Sequence, residues 1–172
     1  MKRVRLVLLL LSLWLAAPLL ASSEADSLLA RLQPVGSGEL TFFGMTVYHA
    51  TLLAPDGVYD PQRVHALQID YRFGFSRERL AAASVDEMVK LSSRPLDRQA
   101  LQQRLTQLLT DVSEGDRLVS LHRPGEGADF YNRDRYLGRL ADAAAAAEFF
   151  AIWLHPQSRE PGLRARLLGE QK

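Results

Sequence analysis

Between Glu39 and Leu53 the chain reads ELTFFGMTVYHATLL, a stretch rich in β-branched and aromatic residues that reads as strand. From Val47 the pattern alternates, with Val47, His49 and Thr51 on one side and Tyr48, Ala50 and Leu52 on the other. Gly44 interrupts it and marks a bulge or a bend between two strands. Ala54-Pro55-Asp56-Gly57 then forms a turn, since Pro pre-sets φ and Gly accepts positive φ.

The other elements follow in order. Asp26–Leu32 has helical spacing but is short, and Pro34, Gly36 and Gly38 break it. Ala66–Phe73 alternates as a strand, with Leu67, Ile69 and Tyr71 on one face. Ser76 caps a predicted helix over Arg77–Leu91. Leu80, Ala81, Ser84, Val85, Met88 and Leu91 form its buried face, whereas Leu80, Ala83, Glu87 and Lys90 do not make one clean face. Asp97 opens a second helix reaching about Asp111, with Leu101, Leu105, Leu108 and Leu109 on its apolar stripe. Arg117–Arg123 alternates as a strand, and Ala128–Asn132 and Arg135–Leu140 form a hairpin across Asn132-Arg133-Asp134. Asp142 caps an Ala-rich helix carrying Phe149, Phe150, Ile152 and Trp153, which Pro156 stops. A last helix starts at Pro161, permitted at the first helical position, and ends before Gly169. Strands, two helices, strands and two helices, without repeats or linkers, predict one α+β domain whose antiparallel sheet is covered on one face.

The first residues speak to targeting. Lys2, Arg3 and Arg5 precede an apolar run of about 16 residues, Leu6 to Ala21, and then the small residues Ala21, Ser22, Ser23 and Ala25. That order predicts a secretory signal peptide over residues 1–25, cleaved after Ala21, Ser23 or Ala25. The run is shorter than the roughly 20 residues of a membrane span, and no Cys stands ready for lipidation. The expected mature chain, 26–172, is periplasmic or secreted and has no membrane span. Removing residues 1–25 leaves 18 basic and 19 acidic side chains, so the net charge moves from +1 to −1. The basicity belongs to the targeting segment, and nothing favours a nucleic-acid partner. With no Cys, the chain has neither disulfides nor thiolate chemistry. The four His residues are far apart in sequence, so no metal site is expected, nor any cofactor, for there is no phosphate loop or dinucleotide fingerprint.

Four stretches together resemble the chalcone-isomerase-like family of bacteria: Gly36–Gly57, Leu67–Met88, Phe130–Leu140 and Phe149–Gly169. The resemblance covers nearly all of the expected mature chain. It implies an open-faced β-sandwich, a long antiparallel sheet with helices layered on one face and a ligand cleft between them. It also implies one of two activities. The plant enzymes of the family cyclise a chalcone with an Arg, a Thr and a Tyr–Asn pair, and related non-catalytic members hold a fatty-acid carboxylate with an Arg and a Tyr. Laid on without gaps, this chain places Arg77 at the enzyme's Tyr, Ser84 at its Asn and Phe43 at its Thr, with Thr41 and Thr46 flanking the last. Donors placed where charge develops carry such catalysis, so these replacements predict a non-catalytic protein.

The candidate ligand-binding residues are therefore Tyr48, from the V-Y core, Arg72 at a strand end, Arg77 at a helix start, Arg31 at the family's Arg-to-Thr spacing, and Thr46. Arginine binds carboxylate in a planar, bidentate way. His49 faces away from Tyr48, Tyr131 and Tyr136 are cross-strand packing partners, and Phe149, Phe150 and Trp153 belong to the core or line a cleft. The expected function is binding of a fatty acid or another small apolar or amphipathic ligand. The alternatives are a module that docks a protein partner in the cell envelope, and an isomerase or lyase of the chalcone isomerase type.

Overall fold

The computed structural model describes residues 26–133 and 135–170. The expected signal peptide, residues 1–25, lies outside them, as does Asp134 of the predicted hairpin turn. Contacts divide the chain into two compact units, 1–31 and 32–172. In the first, residues 26–29 form a helical turn, with Ala30 N donating to Asp26 O at 3.1 Å.

The second unit is built on a six-stranded sheet, β1 (Leu32–Phe42), β2 (Met45–Pro55), β3 (His65–Tyr71), β4 (Arg117–Arg123), β5 (Gly127–Asn132) and β6 (Arg135–Leu140). The strands lie in sequence order and every neighbouring pair is antiparallel. The connection from β3 to β4 carries two helices, α1 (Arg77–Leu91) and α2 (Arg98–Leu108), and β6 is followed by α3 (Ala143–Leu154) and α4 (Pro161–Leu167). The open-faced α+β sandwich is thus the observed architecture.

Capping side chains start the helices where the sequence places them. Ser76 Oγ accepts from Arg79 N, Asp97 accepts from Ala100 N, and Asp142 accepts from Ala144 N and Ala145 N. Ala81, Val85 and Met88 of α1, with Leu101, Leu105 and Leu108 of α2, enter the core. They meet one face of the sheet, on which Leu52, Leu67, Ile69 and Phe130 are buried. A clamp ties α3 to the segment after α1: Arg94 donates twice to the Glu148 carboxylate at 3.0 Å, and Ser92 Oγ donates to it at 2.7 Å.

The short helix does end ahead of Pro34, Gly36 and Gly38, but the strand expected from Glu39 already starts at Leu32. Strand β1 runs through all three, with one register irregularity between Pro34 and Gly36. Strand β1 is at the sheet edge, where a proline without an N–H is tolerated. The glycines make room for α4, since a Cβ at Gly36 would stand 2.1 Å from Arg166 O and one at Gly38 would stand 2.9 Å from Leu163 Cδ1. Residues that punctuate in sequence are here a seat for the last helix. Of the two readings of Gly44, the bend is correct: Phe43 (φ 49°) and Gly44 (φ 79°) make a two-residue hairpin turn, the primed geometry that matches strand twist.

Candidate ligand-binding cavity

Strands β2 and β3 place Tyr48 directly opposite Tyr71, with ring centroids 6.1 Å apart, on the helix-covered face. Helix α3 brings Trp153 over them, and its Nε1–H donates to Tyr48 Oη at 2.9 Å. Phe149, one turn earlier on α3, stacks edge-on against Trp153 at 5.4 Å and Phe130 at 5.2 Å. These rings, with Ile69 of β3 and Leu80 of α1, enclose a cavity of about 520 Å³ whose walls are mainly apolar. That volume falls in the range of small-molecule sites.

The polar groups lie in two places. Inside are the two phenols. Burial pushes Tyr48 up to about 12, against the pull of the Trp153 hydrogen bond, and Glu160 pushes it further in the same direction. Burial raises Tyr71 as well, and its neighbour Tyr48 adds to that. Both phenols therefore stay protonated at neutral pH. Tyr48 Oη accepts from Trp153, so its own proton is available to a guest. Around the cavity wall stand Arg79, Glu87, Lys90 and Arg159. Glu87 is occupied, with Lys90 Nζ at 2.7 Å and Arg159 Nη1 at 3.6 Å. Asp86 pairs with Arg98. Arg79 differs: its guanidinium lies 5.7 Å from the Phe75 ring centroid and forms no ion pair among the described residues. Arg79 is exposed, and a cation on an aromatic wall beside an apolar cavity, without a carboxylate of its own, is chemically suited to an anionic group.

Of the residues singled out from sequence, Tyr48 lines this cavity. Thr46 does not; its Oγ1 donates to Glu39 Oε2 at 3.0 Å across the hairpin. Arg72 is exposed just past β3, its backbone N–H given to Val47 O at 2.9 Å. Arg77 sits 3.5 Å from Asp111 Oδ1 and 3.7 Å from Glu78 Oε1, away from the cavity lining. Arg31 is exposed at the end of the first unit. At the positions matched to catalytic groups, Ser84 reaches the cavity but its hydroxyl donates to Leu80 O at 2.9 Å, and Phe43 is 88% exposed at the hairpin tip. Thr41 lines the wall.

Sequence reasoning missed Arg79 and the pairing of Tyr71 with Tyr48. A signal was present. The face of α1 that looked too mixed to be a core stripe, Leu80, Ala83, Glu87 and Lys90, is the cavity wall. It flanks the fully buried Ala81–Val85–Met88 stripe. A half-polar stripe next to an apolar one marks a helix edge that looks into a cleft. Among the described residues no group of three or more His, Asp or Glu is placed to hold a metal ion.

Comparison with known proteins agrees with this fold. A family model described as chalcone isomerase-like matches residues 25–169. No curated protein matches the chain. Among solved structures, a fatty-acid binding protein of Arabidopsis thaliana is similar at 12% identity, with a TM-score of 0.63 over 81% of this chain and 88% of that one. At that identity the likeness shows the fold.

Proposed function

The chain belongs to the chalcone isomerase-like family, and from that premise we propose that it is an exported, non-catalytic binder of a fatty acid or a similar amphipathic molecule. One observation carries the reading: an apolar cavity of about 520 Å³ with a single arginine, Arg79, that no protein carboxylate engages. The acyl chain occupies the space between Ile69, Phe149 and Trp153, where its burial supplies the affinity. Its carboxylate meets Arg79, with the Tyr48 and Tyr71 hydroxyls as further donors. The similar Arabidopsis fold belongs to a fatty-acid binding protein, which supports this ligand class. Export rests on the Lys2-Arg3-Arg5 segment and the apolar run behind it.

The test is native mass spectrometry of the protein purified from its own host, followed by calorimetric titration with palmitate. A retained or acquired acyl ligand, lost in the Arg79→Gln variant, is expected. A protein that arrives empty and ignores palmitate would overturn the reading.

One feature keeps a second reading in view. Two protonated phenols and Arg79 are hydrogen-bond donors, and an isomerase acting on a phenolic enone would need such donors around the developing oxyanion. Yet no proton-accepting side chain is hydrogen-bonded to either phenol among the described residues. Turnover of a chalcone by the wild-type protein, abolished by Tyr48→Phe, would favour this reading over the binder.

A further inference from the structure

The β1–β2 hairpin ends in an aromatic tip that the core does not use. Phe42 is 59% exposed and Phe43 is 88% exposed, their rings packed edge-on at 4.4 Å. Met45 follows and is also exposed. The β2–β3 register, with Tyr48 opposite Tyr71 and Arg72 N bonded to Val47 O, sets the exposed Phe73 beside the base of this tip. Four large apolar side chains thus share one end of the sheet. The tip is not the cheapest way to turn a hairpin. Phe43 holds φ 49°, a region unfavourable for a residue with a Cβ, where Asn or Asp before Gly is the preferred chemistry.

This end is also a way into the cavity. Phe42 is at once an exposed tip residue and part of the cavity wall, and Leu40 and Thr41 behind it line the same wall. Two cations flank the patch: Arg72, next to Phe73, and Arg79, on the cavity wall. Neither has a carboxylate partner among the described residues. Exposed aromatics beside unpaired arginines, at the opening of an apolar cavity, match the chemistry of a lipid–water interface: rings at acyl depth and guanidinium groups at the phosphates.

We propose that the Phe42–Met45 tip, with Phe73 and Arg72, is a membrane-docking element that seats the cavity opening on an anionic bilayer for exchange of the acyl ligand. The choice of occupant rests on the acyl-binder reading, since such a ligand enters and leaves through a lipid phase. The docking itself is tested separately.

The direct probe is the Phe43→Trp variant of the chain as exported, with the intact mass recorded so that all variants share one N-terminus. It is mixed with vesicles of equal parts phosphatidylglycerol and phosphatidylcholine, with and without brominated acyl chains. A blue shift and bromine quenching of the added tryptophan, beyond the signal of the wild-type protein, are expected. Vesicle flotation gives the affinity. Phe43→Asn is expected to weaken it about tenfold or more, and Arg72→Gln by roughly fivefold on anionic vesicles with little change on phosphatidylcholine alone. Because Asn suits the turn, Phe43→Asn is also expected to raise Tm, so weaker flotation cannot be ascribed to unfolding.

A tip tryptophan that stays in water, or variants that float like wild type, would overturn the proposal. So would a dimer in sedimentation analysis, without vesicles, that Phe43→Asn dissolves, because the tip would then belong to a second copy. Palmitate affinity in solution reads the other hypothesis: Phe43 is outside the cavity, so Phe43→Asn keeps it. Docking without palmitate binding would leave the tip assignment standing and remove the carrier role.

Discussion

The two halves of the space between sheet and helices are filled differently, and one helix shows it. Helix α3 sends Phe150 to one side and Phe149 with Trp153 to the other. On the Phe150 side buried rings pack against one another. Its ring stacks on His122 at 4.7 Å and meets His65 edge-on at 5.2 Å. The two imidazoles are 3.2 Å apart, His122 Nδ1 to His65 Nε2, while His65 Nδ1 is 2.9 Å from Arg63 O. With Arg63 O as acceptor, His65 Nδ1 carries the hydrogen, so His65 Nε2 accepts from His122 Nδ1–H and both rings are neutral. On the Trp153 side the same helix covers a cavity lined by two phenols and by Arg79, Glu87 and Lys90 of α1. In the filled half the two imidazoles bond to each other and to Arg63 O, and His122 Nε2 is left buried without a hydrogen-bond partner among the described residues; in the hollow half the Tyr48 hydroxyl and the exposed Arg79 face a cavity. Close-packed interiors resist any loss of volume, so the difference separates residues that hold the fold from those whose side chains line open space.

The contrast should be broken most strongly by Phe150→Ala. Removing a ring that is 2% exposed is expected to cost about 3–5 kcal/mol, read by urea denaturation. Palmitate affinity of the molecules that remain folded should hardly move. A cost under about 1 kcal/mol would mean that the half called filled is not.

Acid should come next and act on the same half. Burial lowers His122 to about 4, and His65 adds to the shift; burial lowers His65 as well. The unfolded chain binds these protons from about pH 6.5 downward, while folded His122 takes its own only near pH 4. Stability present above about pH 6.5 is therefore lost as pH falls to 4, by about 3 kcal/mol for His122. The groups facing the pair are Tyr59, whose ring is 5.0 Å from His65, Phe150 and the Arg63 carbonyl, with Asp60 acting more weakly. Denaturation curves at several pH values should show this limb shrink in His122→Gln; a limb of unchanged size would assign it to other groups.

The hollow half should answer in the opposite way. Arg79→Gln is expected to weaken palmitate binding by about 2 kcal/mol, roughly thirtyfold, and to change stability by no more than about 0.5 kcal/mol. Equal losses in both would make Arg79 a structural residue. The smallest effect belongs to Tyr48→Phe. It removes the acceptor of Trp153 Nε1–H and should cost about 1 kcal/mol of stability, with a comparable loss of palmitate affinity by calorimetry.

Much of the fold is legible along the chain because its signals are local. Ser76, Asp97 and Asp142 cap the helices they precede, and Tyr131 does face Tyr136, with rings 5.3 Å apart. Errors arose where distant chain meets. Pro34, Gly36 and Gly38 read as a break because nothing near them reveals that Arg166 and Leu163 will arrive at their backbone. The site was less legible. Tyr48 is singled out through its place in the V-Y core of the family resemblance, but Arg77 and Arg79 look equivalent in sequence, two residues apart on one helix. Their side chains point in directions about 200° apart around the axis. One therefore meets Asp111 and the other the cavity.

By itself the sequence determined the order of strands and helices, the caps, the alternating faces, and a family whose fold follows. These depend on neighbours a few residues apart, and periodicity records them. Tertiary structure alone decided which of Arg77 and Arg79 has a carboxylate partner among the described residues, which half of the sandwich is hollow, and that an exposed aromatic tip lies beside the cavity opening. Those properties depend on what is brought within a few ångströms from more than a hundred positions away, as Trp153 is to Tyr48. No local pattern encodes such an approach, because it is set by how all the layers pack at once.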